Sequence, residues 1–175
     1  MNIFLIGMMG SGKSAVGAGL AHAIGYNFVD TDISIENDLG QSIDEIFAHF
    51  GEKYFRQVES RIFTGIATQD NYVVATGGGI ILAEENRQHL KRCGTTVWLE
   101  TDIEILAGRI KKDTATVTKR PLIVKEQQVS DYLHKIYSHR KQLYQQCADI
   151  IICTDFLSVA ETIQEIKASI YDRAK

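Results

Sequence analysis

A short apolar run, Asn2–Ile6, passes directly into Gly7-Met8-Met9-Gly10-Ser11-Gly12-Lys13-Ser14, which fits the pattern GxxxxGK[ST]. An apolar run of this length is what a parallel strand covered on both faces looks like. The glycines let the backbone curl with its N–H groups turned inward around an anion. The next segment, Ser14–Ile24, carries Val16, Leu20, Ala23 and Ile24 on one side and ends on Gly25. It reads as a helix whose positive end adds to the loop. Tyr26–Asp30 reads as a second strand. Strand, glycine loop, helix and strand together predict an α/β fold that holds phosphate at the carboxyl edge of a parallel sheet. Gly10, Ser11, Gly12, Lys13, Ser14 and Ala15 are the candidate nucleotide-binding residues. Lys13 is placed to reach the β- and γ-phosphates of ATP, and the Ser14 hydroxyl to ligate Mg²⁺.

The remaining chain keeps the alternation. Ser42-Ile43-Asp44-Glu45 is a capping box, with Ile43, Ile46, Phe47 and Phe50 expected as the apolar face behind it. A helix is expected over Glu52–Ile66, with Phe55, Val58 and Ile62 on one face and Arg56 and Glu59 beside that stripe. Tyr72–Thr76, Thr95–Leu99 and Asp149–Cys153 read as further strands, which gives five. Ala83–Lys91, Asp102–Lys111 and Val129–Gln146 read as helices between them. A second capping box, Ser158-Val159-Ala160-Glu161, opens a last helix with Val159, Ile163, Ile166 and Ile170 toward the sheet. The whole chain, 1–175, reads as one domain: a three-layer fold with a central five-stranded parallel sheet and helices on both faces. Within it, 33–60 is expected to be a helical substrate-binding region and 112–127, which holds the single proline Pro121, a mobile lid.

Composition removes several classes of function. The net charge is -3 with no basic tract, so nucleic acid is not the expected partner. No stretch approaches the roughly 18 apolar residues of a membrane span, and the first residues lack the pattern of a secretory signal. Cys93, Cys147 and Cys153 are sparse, odd in number and without metal-ligand spacing, as expected of reduced thiols in the cytoplasm. His22, His49, His89, His134 and His139 show no metal spacing either.

Two further clusters fall at strand ends. Asp30 and Asp32 follow Phe28-Val29. Asp30 is placed to hold Mg²⁺ through water, and Asp32 to orient or deprotonate an acceptor hydroxyl; the competing reading of either is a helix cap. Gly77-Gly78-Gly79 follows the third strand, where the backbone must approach something closely; the competing reading is a plain turn.

At this point the chain resembles the shikimate kinase family over nearly its whole length. The resemblance rests on the Gly7–Ser14 loop, Phe28-Val29-Asp30-Thr31-Asp32, Phe55-Arg56-Gln57-Val58-Glu59, Thr76-Gly77-Gly78-Gly79, Arg120-Pro121-Leu122, and Tyr137, Arg140 and Tyr144 in order. It implies ATP and shikimate as substrates, Mg²⁺ as cofactor, a monomer, and a place in aromatic amino acid biosynthesis. It implies Arg56 and Arg140 as clamps on the substrate carboxylate, for which a rigid guanidinium fork is suited. Asp32 would lie at the reacting hydroxyl, with Gly77, Gly78 and Gly79 around the substrate and Glu59 orienting Arg56. Arg120 would bring charge over the transferring phosphoryl group, and Arg109 would lie near adenine. The stretch Thr154–Ser158 carries no arginine where many family members have one, which leaves backbone or Phe156 for the base. The alternatives are a P-loop kinase for gluconate or a nucleoside monophosphate, and a nucleotide-binding regulator without turnover.

Overall fold

In the computed structural model, residues 1–112 and 126–173 are described. The expectations for Arg120, for Pro121 and Leu122, and for most of the 112–127 lid fall outside these residues. Strand β1 (Asn2–Ile6) leads into the glycine loop, helix α1 (Lys13–Ile24) and strand β2 (Asn27–Asp30). Helices α2 (Thr31–Leu39) and α3 (Ile43–Ala67) come before β3 (Tyr72–Ala75). A 3₁₀ turn (Ile80–Leu82), α4 (Glu84–Cys93), β4 (Gly94–Glu100) and α5 (Ile103–Lys112) follow. The chain closes with α6 (Glu126–Cys147), β5 (Ile150–Cys153) and α7 (Val159–Arg173).

The five strands form one sheet, all pairs parallel, in the order β2-β3-β1-β4-β5. Leu5 pairs with Ala75 on one side and with Val97 on the other, so β1 and β3 end within a residue of each other and β4 runs on to Glu100. All five strands therefore deliver their carboxyl ends to one edge. The period-2 rule sorts the core. Phe4 and Ile6 of β1 face a cluster with Phe63, Leu90, Leu106, Leu133 and Tyr144, from the helices on one side. Ile3 and Leu5 face Val16, Leu20 and Ile166, from α1 and α7 on the other. A third, smaller cluster of Ile35, Ile46, Phe55 and Val58 joins α2 to α3.

Local signals set the element ends. Gly25 closes α1 with a φ of 73°. Ser42 and Glu45 form both hydrogen bonds of the capping box, and Ser158 and Glu161 repeat it at α7. These bonds to Ser42 and Ser158 hold the Glu45 and Glu161 carboxyls below the usual range. Three expectations need correction. Helix α2 was not anticipated as a separate element. Phe47 and Phe50 are exposed and not part of a buried face, because only Ile46 of that turn enters the α2–α3 cluster. Val159 is likewise exposed, while Ile166 is buried and Ile163 and Ile170 pack beside it.

Candidate active site

The glycine loop closes on itself through Lys13. Its Nζ donates to the carbonyls of Gly7 (2.9 Å) and Met8 (2.8 Å) and, at 3.4 Å, to Ser11 Oγ. Gly10 and Gly12 hold φ values of 78° and 89°, which side-chain-bearing residues rarely adopt. An open cavity of about 400 Å³ lies against the loop, lined by Gly10, Gly12, Lys13, Ser14, Ala15, Arg109 and Ile110. Helix α5 brings Arg109 and Ile110 to it, and Arg109 Nη2 is tied to the Thr154 carbonyl at 2.9 Å, beyond β5. Phe156, in the same loop as Thr154, is almost wholly exposed.

Asp30 caps a helix and also reaches the phosphate loop. Its Oδ1 caps α2, accepting from the N–H groups of Asp32 and Ile33, while its Oδ2 accepts from Ser14 Oγ at 2.6 Å. The cap turns the second oxygen toward the phosphate loop. A hydroxyl and a carboxylate side by side at the cavity are hard oxygen donors of the kind Mg²⁺ takes. No group of three or more His, Cys, Asp or Glu among the described residues could hold a metal by itself.

Next to the phosphate loop, the end of β3 builds a second cluster. The Gly77 N–H donates to Thr31 Oγ1 at 2.9 Å. The Gly78 carbonyl accepts from Tyr144 Oη at 2.6 Å and from Arg140 Nη1 at 3.2 Å, both supplied by α6. Arg56 Nη1 donates to Glu59 Oε2 at 2.7 Å, one turn along α3, and its other nitrogens reach Glu52. Glu59 is 1% exposed, so this pair is largely withdrawn from solvent. Burial works against the Arg56 charge, but the Glu59 carboxylate and hydrogen bonds to Glu59 and Glu52 outweigh it and raise its pKa. Burial raises Tyr144 to about 12, against the pull of Arg140, so its hydroxyl stays a donor throughout the physiological range.

The glycine triplet is packed against the site's own side chains. A Cβ at Gly77 would lie 2.7 Å from Asp32 Oδ1 and 2.8 Å from Glu59 Oε1, and one at Gly79 would overlap the Arg56 guanidinium. Asp32, Arg56, Glu59 and Arg140 are thus gathered around residues 77–79, beside the phosphate loop. The residues that sequence reasoning left without a role are Thr31, Tyr144 and the Tyr137–Glu100 pair, in which Tyr137 Oη donates at 3.1 Å. Burial, then Glu100, pushes the Tyr137 hydroxyl well above its ordinary range. Tyr144 stands in the same motif one helical turn after Arg140, and that i,i+4 spacing is the signal that could have given it a role beside Arg140.

A phosphate loop between a parallel strand and a helix, with a charged cluster on the same sheet edge, defines a small-molecule kinase of the P-loop class. A family model described as shikimate kinase matches residues 9–171. The chain belongs to the shikimate kinase family. A shikimate kinase of Symbiobacterium thermophilum is 39% identical over 175 residues, covering 100% of this chain and 99% of that protein. Among solved structures, shikimate kinase from Acinetobacter baumannii in complex with shikimate superposes with a TM-score of 0.91 at 34% identity, covering 98% of this chain and 93% of that one. Shikimate kinase from Aquifex aeolicus gives a TM-score of 0.82 at 30% identity over 99% and 98% of the two chains.

Proposed function

We propose that this chain transfers the γ-phosphoryl group of ATP to the 3-hydroxyl of shikimate, giving shikimate 3-phosphate and ADP for aromatic amino acid biosynthesis. The observation that carries the proposal is the gathering of Asp32, Arg56 and Arg140 around the Gly77–Gly79 turn, alongside the loop that holds Lys13. An acceptor with one carboxylate and several hydroxyls suits that set. Two guanidinium groups hold the carboxylate in a fixed orientation, and one carboxylate faces a hydroxyl.

Lys13 exchanges its loop carbonyls for the β- and γ-phosphates, and the loop N–H groups and the α1 terminus share the remaining charge. Ser14 and Asp30 would hold Mg²⁺, which when bound neutralises charge on the phosphates. Asp32 orients the hydroxyl and takes its proton as the oxygen attacks in line. Arg56 and Arg140 fix the far end of the acceptor, with Glu59 holding Arg56 in place. Arg120, from its place in Arg120-Pro121-Leu122, adds a cation to the transferring group. Arg109, anchored at Thr154, lies beside the base. No described helix is long and apolar enough to cross a membrane. Work in the cytoplasm on these two small molecules is in keeping with the sparse cysteines and the lack of a basic tract, and a monomer is what the family resemblance implies.

The test is acceptor-dependent ADP formation by purified protein with Mg-ATP, using shikimate, gluconate and nucleoside monophosphates in parallel. Turnover with shikimate alone, giving a product one phosphate heavier, is the expected result. Turnover with another acceptor and none with shikimate would keep the phosphate loop and overturn the arginine clamp.

A further inference from the structure

Strand β3 keeps donating after β2 has ended, and a side chain supplies the acceptor. Asp30 and Ala75 are the last residues paired between the two strands. The Thr76 N–H then donates toward β1, to the Leu5 carbonyl at 3.2 Å. Successive N–H groups along a strand alternate in side, so that of Gly77 points back toward β2. There the backbone of Thr31 already forms the first turn of α2. The Thr31 hydroxyl stands in for the missing carbonyl and accepts from Gly77 N at 2.9 Å. Thr31 is 0% exposed, so this bond is closed to solvent. A buried N–H that loses its acceptor is costly, which makes the hydroxyl hard to replace here.

That single bond joins two parts of the site. Thr31 stands between Asp30, which accepts from Ser14, and Asp32. Gly77 opens a turn closed by Ile80 N on the Gly77 carbonyl (3.1 Å) and Leu82 N on the Gly79 carbonyl (2.9 Å), so residues 77–79 move as one piece. Asp32 Oδ1 and Glu59 Oε1 pack on Gly77, the Gly78 carbonyl accepts from Arg140 and Tyr144, and Gly79 abuts the Arg56 guanidinium. A shift of this turn relative to Thr31 is therefore a shift of Asp32 relative to both guanidinium groups. We propose that Thr31 is a positioning residue for phosphoryl transfer, its hydroxyl fixing the separation between Asp32 and the turn against which the acceptor is held. The proposal rests on the reading of Asp32 as the group at the reacting hydroxyl. Arg56 and Arg140 still grip the acceptor carboxylate when Asp32 is misaimed, so the loss falls on the rate and not on binding. A misplacement of about 1 Å can cost roughly a hundredfold in rate.

The experiment compares Thr31→Val with Thr31→Ser. Valine keeps the volume and loses the hydroxyl; serine keeps the hydroxyl and loses the methyl. In steady-state kinetics with Mg-ATP and shikimate, kcat is expected to fall about tenfold or more in Thr31→Val, with both KM values nearly unchanged. Thr31→Ser is expected to stay close to wild type. Amide exchange followed by NMR reads the bond without substrate: the Gly77 N–H is expected to be protected in the wild type and in Thr31→Ser, and to exchange roughly tenfold faster or more in Thr31→Val. A side chain that only packs would reverse the order, serine lowering the melting temperature more than valine and neither moving kcat, and that result would overturn the proposal. A loss in Thr31→Val confined to KM for shikimate would overturn it too. So would a rapidly exchanging Gly77 in the wild type, a readout that needs no variant to fold. A wild type that turns over another acceptor but not shikimate would overturn the proposed function alone, since the kcat ratio is then read with that acceptor and the Gly77 exchange with none.

Discussion

Single atoms decide what the glycine triplet is for. Gly79 has φ -99° and ψ 0°, a conformation any residue adopts, so backbone freedom does not explain glycine there. Space does: a Cβ would overlap the Arg56 guanidinium, whereas at Gly78 the nearest atom is the Gly7 carbonyl oxygen at 3.4 Å. The overlapped group is the far end of a flexible side chain, so it moves and the fold remains. Gly79→Ala should therefore push Arg56 off Glu59 and away from the acceptor, with little change in melting temperature. Losing one charge-assisted contact is worth about 1.5–3 kcal/mol, which predicts a KM for shikimate raised roughly ten- to a hundredfold with KM for ATP unchanged. Steady-state kinetics with each substrate varied in turn would check it. An equal rise in both KM values would show that the turn serves the phosphate loop and not the arginine.

At the scale of elements, α3 is two helices joined at Gly51, whose φ of 76° and ψ of 172° break the helical run between Phe50 and Glu52. A Cβ there meets nothing within 4 Å, so alanine is disfavoured by the backbone alone. That conformation is close to glycine-only, and Gly51→Ala should cost about 1–3 kcal/mol. It should also raise KM for shikimate, since Glu52, Phe55 and Arg56 follow the break. Urea unfolding and the same kinetics would test it, and a fully stable variant would mean that the break is not needed to aim Arg56. The two halves of α3 were legible because a capping box marks one and the stripe Phe55, Val58, Ile62 marks the other. Helix α2 was not, for a physical reason: Asp30 supplies its cap, and only Ile35 of the following turns is a buried apolar residue, so the helix shows no apolar periodicity. Phe47 and Phe50 misled for the opposite reason, since apolar spacing signals a buried face even where Ile46 alone of that turn is buried. The glycine loop was placed between strand and helix as the structure has it, because its residues are contiguous. The hold of Tyr144 on Gly78 spans 66 residues and exists only once α6 meets β3.

Across the whole molecule, the strand order places the two clusters of polar side chains on opposite sides of β1. Strands β2 and β3 carry Asp30, Asp32 and the glycine triplet; β4 and β5 lead to α5 with Arg109 and to Thr154; the phosphate loop stands between them. Tyr144 joins the two halves. Its ring stacks on Trp98 of β4 at 5.6 Å, its hydroxyl donates to the Gly78 carbonyl, and the same oxygen lies 3.8 Å from Met8 Sδ in the phosphate loop. Gly78 in turn lies against the backbone of Gly7 and Met9. Removing the hydroxyl should loosen acceptor turn and phosphate loop together. Tyr144→Phe keeps the ring stack, so the fold persists, at a cost of about 1 kcal/mol for the weakened hold on a buried carbonyl. For a chain of this size that lowers the melting temperature by roughly 2–4 °C. The kinetic signature is a several-fold rise in KM for ATP as well as for shikimate. Arg140→Ala is the contrast: it also loses a bond to Gly78, but Tyr144 still holds that carbonyl, so the loss falls on the substrate carboxylate and KM rises for shikimate alone. If Tyr144→Phe matched Arg140→Ala in affecting only the acceptor, the phosphate loop would be rigid without Tyr144, and the two halves of the sheet edge would be joined through the backbone of β1 instead.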